Sequence, residues 1–418
     1  MRVLIIGSGG REHAIAWRLA QSPTVSAIFA TPGNPGIAKV AQCLKASAAT
    51  PKAWLEVANA VDADLTVVGP EAPLAAGIVD AFRAAGRTIL GPAANEARLE
   101  SSKTFSKEVM RAAGAPTARY VAAESHEAAR AALERFRYPL VIKADGLAAG
   151  KGVSIVGTKE EAESVLASTF STYGSRLLVE EFLTGEEVSF IVLTDGRTAV
   201  PLAATQDHKA AYDGDEGPNT GGMGAYCDDR ILTAAERDKI MAGIIHPVLE
   251  EMRRRGAPFT GFLYAGLMMT ASGPQVLEFN VRLSDPEAQA LLHRLDVDLG
   301  ELLWSAARGT LADRPLAWLP EPSVCVVMAS RGYPATSSSG DPITGIEAAE
   351  AAGATVFHAG TRMNGRTLET AGGRILGVTA RGDTLPRAID NAYRGVSAID
   401  FPGKQYRTDI GRKGLRRW

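Results

Sequence analysis

In the first hundred residues, short apolar runs alternate with stretches of helical periodicity, and this alternation limits the fold more than any other feature of the chain. Strands are predicted at residues 2–6, 27–30, 64–68 and 88–90. Helical patterns lie between them, the first at residues 11–21. Strands separated by helices form a parallel sheet that is covered on both faces. We therefore expect a doubly wound α/β domain over residues 1–100.

Each of these strands ends in a turn rich in glycine and proline, which is where ligands bind in sheets of this type. The first turn contains Gly9 and Gly10 and opens a helix, so its backbone N–H groups can hold an anion. Glu12 occupies the third glycine position of the dinucleotide fingerprint, which argues against NAD and favours a smaller phosphate ligand. A tight turn without a ligand fits these residues equally well.

After residue 100 the pattern changes to short strands joined by hairpins, with helices between them, one of them predicted at about residues 233–254. Asp195-Gly196 is a strong hairpin signal, and a second hairpin is predicted around residues 272–274. This pattern indicates an α+β region over residues 101–320. A third unit with further strands and a helix is predicted over residues 321–418. The expected fold class is therefore α/β and α+β in several domains.

A glycine-rich loop lies between two lysines. Lys143 ends a predicted strand, and Gly150, Lys151 and Gly152 close the loop. Ammonium groups and close-approaching backbone N–H groups can together hold a polyphosphate. The loop is not a Walker A motif, because Gly152 stands where that motif has Ser or Thr. The alternative is a flexible surface hairpin with two solvated lysines.

Residues 276–282 are predicted as a strand, in which alternate side chains share a face. Glu278, Asn280 and Arg282 would then point the same way. A carboxylate and an amide oxygen suit a hard cation, and an arginine beside them can clamp an anion. One polar face of an ordinary sheet is the alternative, but the phosphate-type loop elsewhere in the chain favours a metal site.

Residues 206–224 include a long polar, glycine-rich loop, and loops of this length are usually functional or disordered. Glu180, Phe182 and Glu187 could form an edge that binds adenine and ribose, although an exposed acidic turn is the more common meaning of such residues. No Ser-His-Asp or Cys-His pattern suggests a covalent nucleophile.

Composition excludes several classes of function. The 418 residues carry a formal net charge of −2, which gives no electrostatic signal for nucleic acid or an anionic membrane. No apolar run approaches the roughly twenty residues of a membrane span. The three cysteines are far apart, so neither a disulfide framework nor a zinc site is indicated. We expect a cytoplasmic protein.

Several segments together carry a family resemblance that extends along the whole chain. They are VGPEAPL at residues 68–74, IKADGLAAGKG at 142–152, QDHK at 206–209, GPNTGGMGAY at 217–226, TGFLYAG at 260–266 and EFN at 278–280. With these segments the chain resembles the ATP-grasp ligases, and among them the glycinamide ribonucleotide synthetase family of purine biosynthesis.

The resemblance implies an ATP-grasp fold with an N-terminal Rossmann-like domain, a lid at about residues 115–180 and a small C-terminal α/β domain. It also implies a reaction in which ATP phosphorylates the carboxylate of glycine. The amine of 5-phosphoribosylamine then attacks the glycyl phosphate and gives glycinamide ribonucleotide, ADP and phosphate. ATP and Mg²⁺ (or Mn²⁺) are the implied cofactors, and we expect a monomer.

The resemblance further implies roles for individual residues. Catalytic roles fall to Lys209, Arg282 and Asp285. ATP would be bound by Lys103, Lys143, Gly150, Lys151, Gly152, Glu180, Phe182 and Glu187. The substrates would be bound by Gly9, Gly10, Glu12, Asp207, Asn219, Thr220, Gly221, Gly222 and Met223. The metal would be held by Glu278 and Asn280.

The chain departs from the family pattern at two positions. Ser284 stands where glycine usually precedes Asp-Pro-Glu, and Ala210 stands where arginine often follows Gln-Asp-His-Lys. These changes bear on substrate affinity rather than on the reaction. Two alternatives stay open: another ATP-grasp ligase or carboxylase would share the phosphate and metal residues, and a non-catalytic nucleotide-binding homologue would keep only the fold.

Overall fold

The computed structural model describes residues 1–147, 152–174 and 176–416. Its N-terminal unit contains β1 (Arg2–Gly7), α1 (Gly10–Leu19), β2 (Ala27–Pro32), β3 (Gln42–Cys43), α2 (Pro51–Ala60), β4 (Leu65–Val68), α3 (Glu71–Ala75), α4 (Ile78–Ala84), β5 (Ile89–Leu90) and α5 (Arg98–Ser101). The strands form a parallel sheet in the order β3-β2-β1-β4-β5. The predicted doubly wound sheet is confirmed.

The lid region has an antiparallel sheet and a hydrophobic core of its own. Its elements are β6 (Tyr120–Ala123), α7 (His126–Leu133), β7 (Leu140–Ala144), β8 (Val153–Val156), α8 (Lys159–Tyr173) and β9 (Leu177–Glu181), and α6 (Lys103–Ala113) precedes it. The strand order is β6-β9-β7-β8. Leu140, Ile142, Leu166 and Val179 belong to a core cluster that is separate from the rest of the molecule. That this region moves as a lid stays a prediction.

The remaining elements belong to the middle and C-terminal parts of the chain. The middle part contains β10 (Glu186–Asp195), β11 (Ala199–Pro201), β12 (Thr205–Asp207), β13 (Ala210–Tyr212), β14 (Glu216–Asn219), β15 (Gly224–Cys227), α9 (Ala234–Ile240), α10 (His246–Arg254), β16 (Thr260–Thr270), β17 (Gly273–Asn280), α11 (Glu287–Arg294) and α12 (Leu299–Arg308). The C-terminal part contains β18 (Ser323–Ala329), β19 (Ser339–Pro342), α13 (Ile346–Ala351), β20 (Thr355–His358), β21 (Thr361–Asn364), β22 (Thr367–Ala371), β23 (Arg374–Arg381), α14 (Leu385–Ala398) and α15 (Arg412–Leu415).

One large sheet crosses the predicted boundary at residue 320. Its order is β17-β16-β10-β12-β15-β18-β23-β20, and β11 pairs with β10. The crossing is the antiparallel pair of β15 and β18, in which Gly224 lies opposite Val326. The C-terminal strands therefore extend the sheet of the middle part, apart from a small sheet in the order β19-β22-β21. The division of the chain at residues 100 and 320 stays a prediction.

Two elements differ from the sequence-based prediction. The helix predicted at residues 233–254 is interrupted by a π-helical segment, Met241–Ile245. The strand predicted to reach Arg282 ends at Asn280, because the next backbone N–H, that of Val281, donates to Glu100 at 2.8 Å instead of to a neighbouring strand. None of the helices in the described ranges combines the length and apolar character that a membrane crossing requires.

Candidate functional site

The N-terminal, lid, middle and C-terminal parts of the chain all face one cleft of about 490 Å³, which is within the usual range for small-molecule sites. Residues that are distant in sequence meet in its walls. The predicted site residues that line it are Lys103, Lys143, Gly152, Glu180, Phe182, Glu187, Asp207, Lys209, Asn219, Thr220, Gly221, Glu278, Asn280, Arg282 and Asp285. Gly150 and Lys151 lie outside the described residues.

A buried cluster of two lysines and one glutamate forms part of the cleft wall. Glu180 is 1 % exposed, and its Oε2 atom lies 3.1 Å from Nζ of Lys107 and 3.0 Å from Nζ of Lys143. Burial lowers the pKa of Lys107 to about 8, although Glu180 acts in the opposite direction. The second oxygen of Glu180 is buried without a hydrogen-bond partner in the described part of the chain. It can therefore accept a hydrogen bond from a ligand amino group.

Lys103 brings a further positive charge to the cleft from the first turn of α6. The N-cap residue Ser102 accepts a hydrogen bond from the backbone of Phe105 and so fixes where this helix begins. The Lys103 ammonium donates to the carbonyl of Gly146 at 2.9 Å. Burial lowers the pKa of Lys103, and the nearby Glu278 carboxylate opposes that shift. Positive charge and a nearby carboxylate thus occur together, as a metal–polyphosphate site requires.

Glu278 and Asn280 lie two residues apart on β17, and both line the cleft. They stand opposite Gly266 and Tyr264 of β16. Within the described ranges, no group of three or more His, Cys, Asp or Glu side chains could hold a metal ion. One carboxylate and one amide oxygen nevertheless fit Mg²⁺, which takes few protein ligands and completes its shell with phosphate oxygens and water.

Arg282 follows β17 and is paired with two carboxylates. Its Nη2 atom lies 3.1 Å from Glu100, and its Nε atom lies 3.4 Å from Glu71. Burial disfavours the charge on Arg282, but Glu100 and Glu71 outweigh burial and raise its pKa. Burial also raises the pKa of Glu100, and the opposing effect of Arg282 offsets that rise only in part. The guanidinium that was predicted to clamp an anion is therefore already balanced by protein carboxylates.

Asp285 is held between two arginines. Its carboxylate accepts from Nε2 of Gln289 at 2.9 Å and from the backbone N–H of Arg11 at 3.3 Å, and Nη1 of Arg374 lies 3.4 Å away. Burial alone would raise the pKa of Asp285, but Arg374 and Arg11 outweigh it and lower that pKa. Asp285 is therefore ionised and suited to pair with a ligand amino group.

The ligation loop, which we define as residues 207–224, carries further cleft residues. Nζ of Lys209 donates to Glu187 at 2.9 Å, and the carbonyl of Lys209 accepts from the backbone N–H and the hydroxyl of Thr220, each at 2.8 Å. Burial raises the pKa of Asp207 to about 7, although Lys209 acts in the opposite direction. Asp207 can therefore exchange a proton near neutral pH.

The N-terminal turn differs from the expectation. The Glu12 carboxylate, which is 2 % exposed, accepts from the backbone N–H of Gly9 and from Nε of Arg11, the latter at 2.6 Å. A carboxylate of the protein therefore occupies the turn that was predicted to hold an anion. Five of the predicted substrate residues are absent from the described walls of the cleft: Gly9, Gly10, Glu12, Gly222 and Met223. Their role in binding stays a prediction.

Several residues of the cleft were missed from the sequence. They are Arg11, Glu71, Glu100, Lys107, Tyr264, Glu287 and Arg374. Glu71 and Arg11 carried a usable signal, because each lies at the start of a helix directly after a strand of the parallel sheet, where ligands bind. Tyr264 lies in the segment TGFLYAG, which carries the family resemblance. Of the two departures from the family pattern, Ser284 lines the cleft, whereas Ala210 is not part of its described walls.

The chain matches the models of one known family. Models of phosphoribosylglycinamide synthetase match the chain with their N domain at residues 1–100, their ATP-grasp (A) domain at residues 101–288 and their C domain at residues 323–413. The chain belongs to the phosphoribosylglycinamide synthetase family. Its predicted membership, and its predicted ATP-grasp fold, are confirmed.

Relatives within the phosphoribosylglycinamide synthetase family match over their full length. The phosphoribosylamine–glycine ligase of Streptomyces coelicolor is 48 % identical over 417 residues, which cover 99 % of each chain. The enzyme of that name from Mesorhizobium japonicum is 46 % identical over 421 residues, which cover 100 % of this chain and 99 % of the relative.

Two solved structures are similar to this chain. The crystal structure of phosphoribosylamine–glycine ligase from Thermotoga maritima has 33 % identity and a TM-score of 0.86, and the match covers 98 % of this chain and 100 % of that one. The biotin carboxylase domain of 2-oxoglutarate carboxylase from Hydrogenobacter thermophilus has 17 % identity and a TM-score of 0.73, and the match covers 97 % of this chain and 91 % of that one. This second likeness concerns the fold alone.

Proposed function

We propose that this chain uses ATP to join glycine to 5-phosphoribosylamine, with glycinamide ribonucleotide, ADP and phosphate as products. The similar enzymes named above are phosphoribosylamine–glycine ligases. The proposal rests on the composition of the cleft. Its walls combine lysine side chains, the pair Glu278 and Asn280, whose oxygen atoms suit a metal ion, and the ionised carboxylate of Asp285. Because one chain supplies all of these groups, we propose that a monomer suffices.

The part of the cleft that is lined by Lys107, Lys143 and Glu180 is the proposed ATP site. The unpaired oxygen of Glu180 would accept a hydrogen bond from the adenine amino group, and Phe182 would cover the ring. Lys103 and Lys143 would pair with the phosphates, because both residues line the same cleft. Glu187 would meet the ribose. Gly150, Lys151 and Gly152 would complete the phosphate site, as the family resemblance implies.

ATP-grasp ligases in general use ATP together with a divalent metal. Glu278 and Asn280 would hold Mg²⁺, for which their oxygen atoms are suitable donors, and Mn²⁺ is the alternative ion for the same donors. The bound ion supplies charge neutralisation at the transferring phosphoryl group. The nearby ammonium of Lys103 adds positive charge on the same side of the cleft.

The reaction would proceed in two steps. A carboxylate oxygen of glycine attacks the γ-phosphorus of ATP, and ADP leaves. The amine nitrogen of 5-phosphoribosylamine then attacks the acyl carbon, and phosphate leaves with that glycine oxygen. Asp285 would hold the glycine ammonium group, and Arg282 would stabilise negative charge near the acyl group. Most of the rate enhancement would come from positioning and charge stabilisation.

The ligation loop would face the second step. Asp207 would accept the proton that the attacking nitrogen loses, since its pKa of about 7 suits a general base near neutral pH. Lys209, together with the Asn219–Gly221 backbone, would hold the leaving phosphate. Gly9, Gly10 and Glu12 would approach the phosphoribosyl group from the N-terminal turn. The lid would exclude water, which otherwise hydrolyses the acyl phosphate.

ADP release tests the proposal directly. The chain is mixed with ATP, Mg²⁺ and glycine, with and without freshly generated 5-phosphoribosylamine. The expected result is ADP release that requires both substrates, with glycinamide ribonucleotide as the product. ADP release with a different amine only would indicate another ATP-grasp ligase, and ATP binding without turnover would indicate a nucleotide-binding protein.

A further inference from the structure

The C-terminal segment, which we define as residues 404–413, lies against the ligation loop. Within that loop, β13 and β14 form a hairpin that turns at Asp213–Asp215. The described residues of the C-terminal segment do not line the cleft, whereas the ligation loop does. The contact between the two can therefore act on the reaction through the position of the loop.

Arg407 is at the centre of this contact. It is 1 % exposed, and its Nη1 atom donates to the carbonyl of Ala210 at 3.2 Å and to Asp215 at 2.9 Å. Its Nε and Nη2 atoms donate to the two carboxylate oxygens of Asp409, each at 2.7 Å. The carboxylates of Asp215 and Asp409 thus balance the buried guanidinium of Arg407. Because the donors of the guanidinium lie in one plane, they fix the orientation of the two carboxylates relative to each other.

Further bonds join the tip of the hairpin to the same segment. The Asp213 carboxylate accepts from the backbone N–H of Thr408 at 2.7 Å and from the hydroxyl of the same residue. The backbone N–H of Gly214 donates to Asp409 at 2.9 Å. Nζ of Lys413 lies 2.8 Å from Asp215. The tip is therefore bonded through both its side chains and its backbone.

The tip has a conformation that needs such support. Asp215 has a φ of 62°, in the left-handed region that residues other than glycine rarely adopt, and Gly214 before it has a φ of 76°. Conformations of this kind persist where the surrounding structure holds them. Here Arg407 and Lys413 pair with the Asp215 side chain, so the C-terminal segment stabilises the turn.

The anchored backbone is next to the groups that face the cleft. Ala210, whose carbonyl is bound by Arg407, directly follows Lys209. The carbonyl of Lys209 accepts both hydrogen bonds from Thr220 across the hairpin. A shift of the hairpin would therefore move Lys209 and Thr220 together, and would disturb the pairing of Lys209 with Glu187.

We propose that Arg407 is a positioning residue for the ligation step, which it serves by fixing the hairpin of the ligation loop through Asp215, Asp409 and the Ala210 carbonyl. This inference rests on the proposed function. Arg407 would touch neither ATP nor the reacting atoms. Its loss would leave ATP binding intact, slow the attack of the amine and leave the acyl phosphate open to water.

The test compares Arg407→Ala, Arg407→Lys and Asp215→Asn with the unchanged chain. Asp215→Asn is the gentlest variant, because asparagine tolerates a positive φ but carries no charge to pair with Arg407. Arg362→Ala is the control for loss of an arginine–carboxylate pair elsewhere in the C-terminal part, since Arg362, which is more exposed than Arg407, pairs with Glu369 at 3.2 Å. Thermal unfolding identifies any variant that does not fold. If the Arg407 variants do not fold, Asp215→Asn decides whether the pairing of Arg407 with Asp215 positions the ligation loop.

Three quantities are measured for each variant: kcat for ligation, the ATP dissociation constant, and the number of ADP molecules formed per ligated product. For Arg407→Ala we expect kcat to fall about 10- to 100-fold, as for a displaced catalytic group. We expect the ADP-to-product ratio to exceed that of the unchanged chain, with little change in ATP affinity. Arg407→Lys should give partial recovery, because lysine restores the charge without the planar set of donors.

Hydrogen exchange of the ligation loop provides a readout that needs no substrate. The amides of Gly214 and Thr220 should exchange faster in Arg407→Ala and in Asp215→Asn, but not in Arg362→Ala. Unchanged exchange, or an unchanged kcat with an unchanged ADP-to-product ratio, would overturn the inference. If the unchanged chain formed no product, the proposed function would fail, and the exchange rates would still decide whether Arg407 anchors the loop.

Discussion

Replacing Arg282 by Met should separate the structural contribution of this residue from its proposed catalytic one. The side chains of Arg282 and Glu100 are 16 % and 8 % exposed and lie 3.1 Å apart. Removal of one partner from a buried pair costs about 3–5 kcal/mol, because it leaves a buried charge without compensation. Since Glu100 keeps a hydrogen bond from Val281, we expect a loss near the lower end, about 3 kcal/mol.

The second substitution Glu100→Gln should reverse part of this loss. It removes the charge that Arg282 balances, so the double variant should recover about 1–3 kcal/mol relative to the sum of the single effects. Urea unfolding of the unchanged chain, both single variants and the double variant measures this coupling. A coupling energy below about 0.5 kcal/mol would refute the reasoning.

The loss in Arg282→Met should depend on pH. Burial raises the pKa of Glu100 in the folded chain, and removal of Arg282 raises it further. At a pH below the pKa of the unfolded carboxyl group, Glu100 is neutral in both states and the loss is small. The loss should grow between the folded-state pKa of Glu100 in the unchanged chain and the higher folded-state pKa of Glu100 in the variant. Above the second value it should level off. A loss that stays constant over this range would contradict the assignment to Glu100.

Ligation activity of the double variant supplies the functional half of this test. If Arg282 stabilises charge on the substrate, the double variant should remain slow although its stability has recovered. If activity recovers together with stability, Arg282 has a structural role only, through its pairs with Glu100 and Glu71.

Three further predictions concern the cleft. Lys143→Met should weaken ATP binding about tenfold or more in calorimetry, because a hydrogen bond to a charged group contributes about 1.5–3 kcal/mol, and unchanged affinity would contradict the proposed phosphate contact. Glu278→Gln should raise the Mg²⁺ concentration for half-maximal velocity at least about tenfold, because loss of even an outer-shell partner of a metal ligand costs about 10- to 100-fold, and an unchanged metal requirement would exclude Glu278 as a ligand. The ligation rate should rise with pH through about 7, where Asp207 ionises, and Asp207→Asn should remove this inflection; an identical profile in that variant would exclude Asp207 as the base.

Features that depend on local sequence were predictable. The mostly apolar run at residues 2–6, followed by glycine and a helix, predicts a strand of a parallel sheet, and the structure confirms it. Asp195-Gly196 predicts a hairpin, and β10 and β11 do pair across it. In both cases the residues that fix the conformation are neighbours in the chain, so the pattern carries the information.

Features that depend on distant partners were not predictable. The end of β17 is set by Glu100, which binds a backbone N–H 181 residues further along the chain. Arg374 and Lys107 reach the cleft through tertiary packing, and neither lies in a motif that identifies its role. The turn at Gly9 looked like an anion site, but the side chain of Glu12 satisfies that backbone N–H. Side-chain direction, which sequence spacing does not give, decides such cases.

The central claim is that glycine is activated as an acyl phosphate before the amine attacks. The most direct test uses glycine with ¹⁸O in its carboxylate, together with ATP, Mg²⁺ and 5-phosphoribosylamine, and measures the released phosphate by mass spectrometry. The expected result is one ¹⁸O atom in each phosphate released during formation of glycinamide ribonucleotide. Phosphate without ¹⁸O, formed while the ligated product accumulates, would contradict the account.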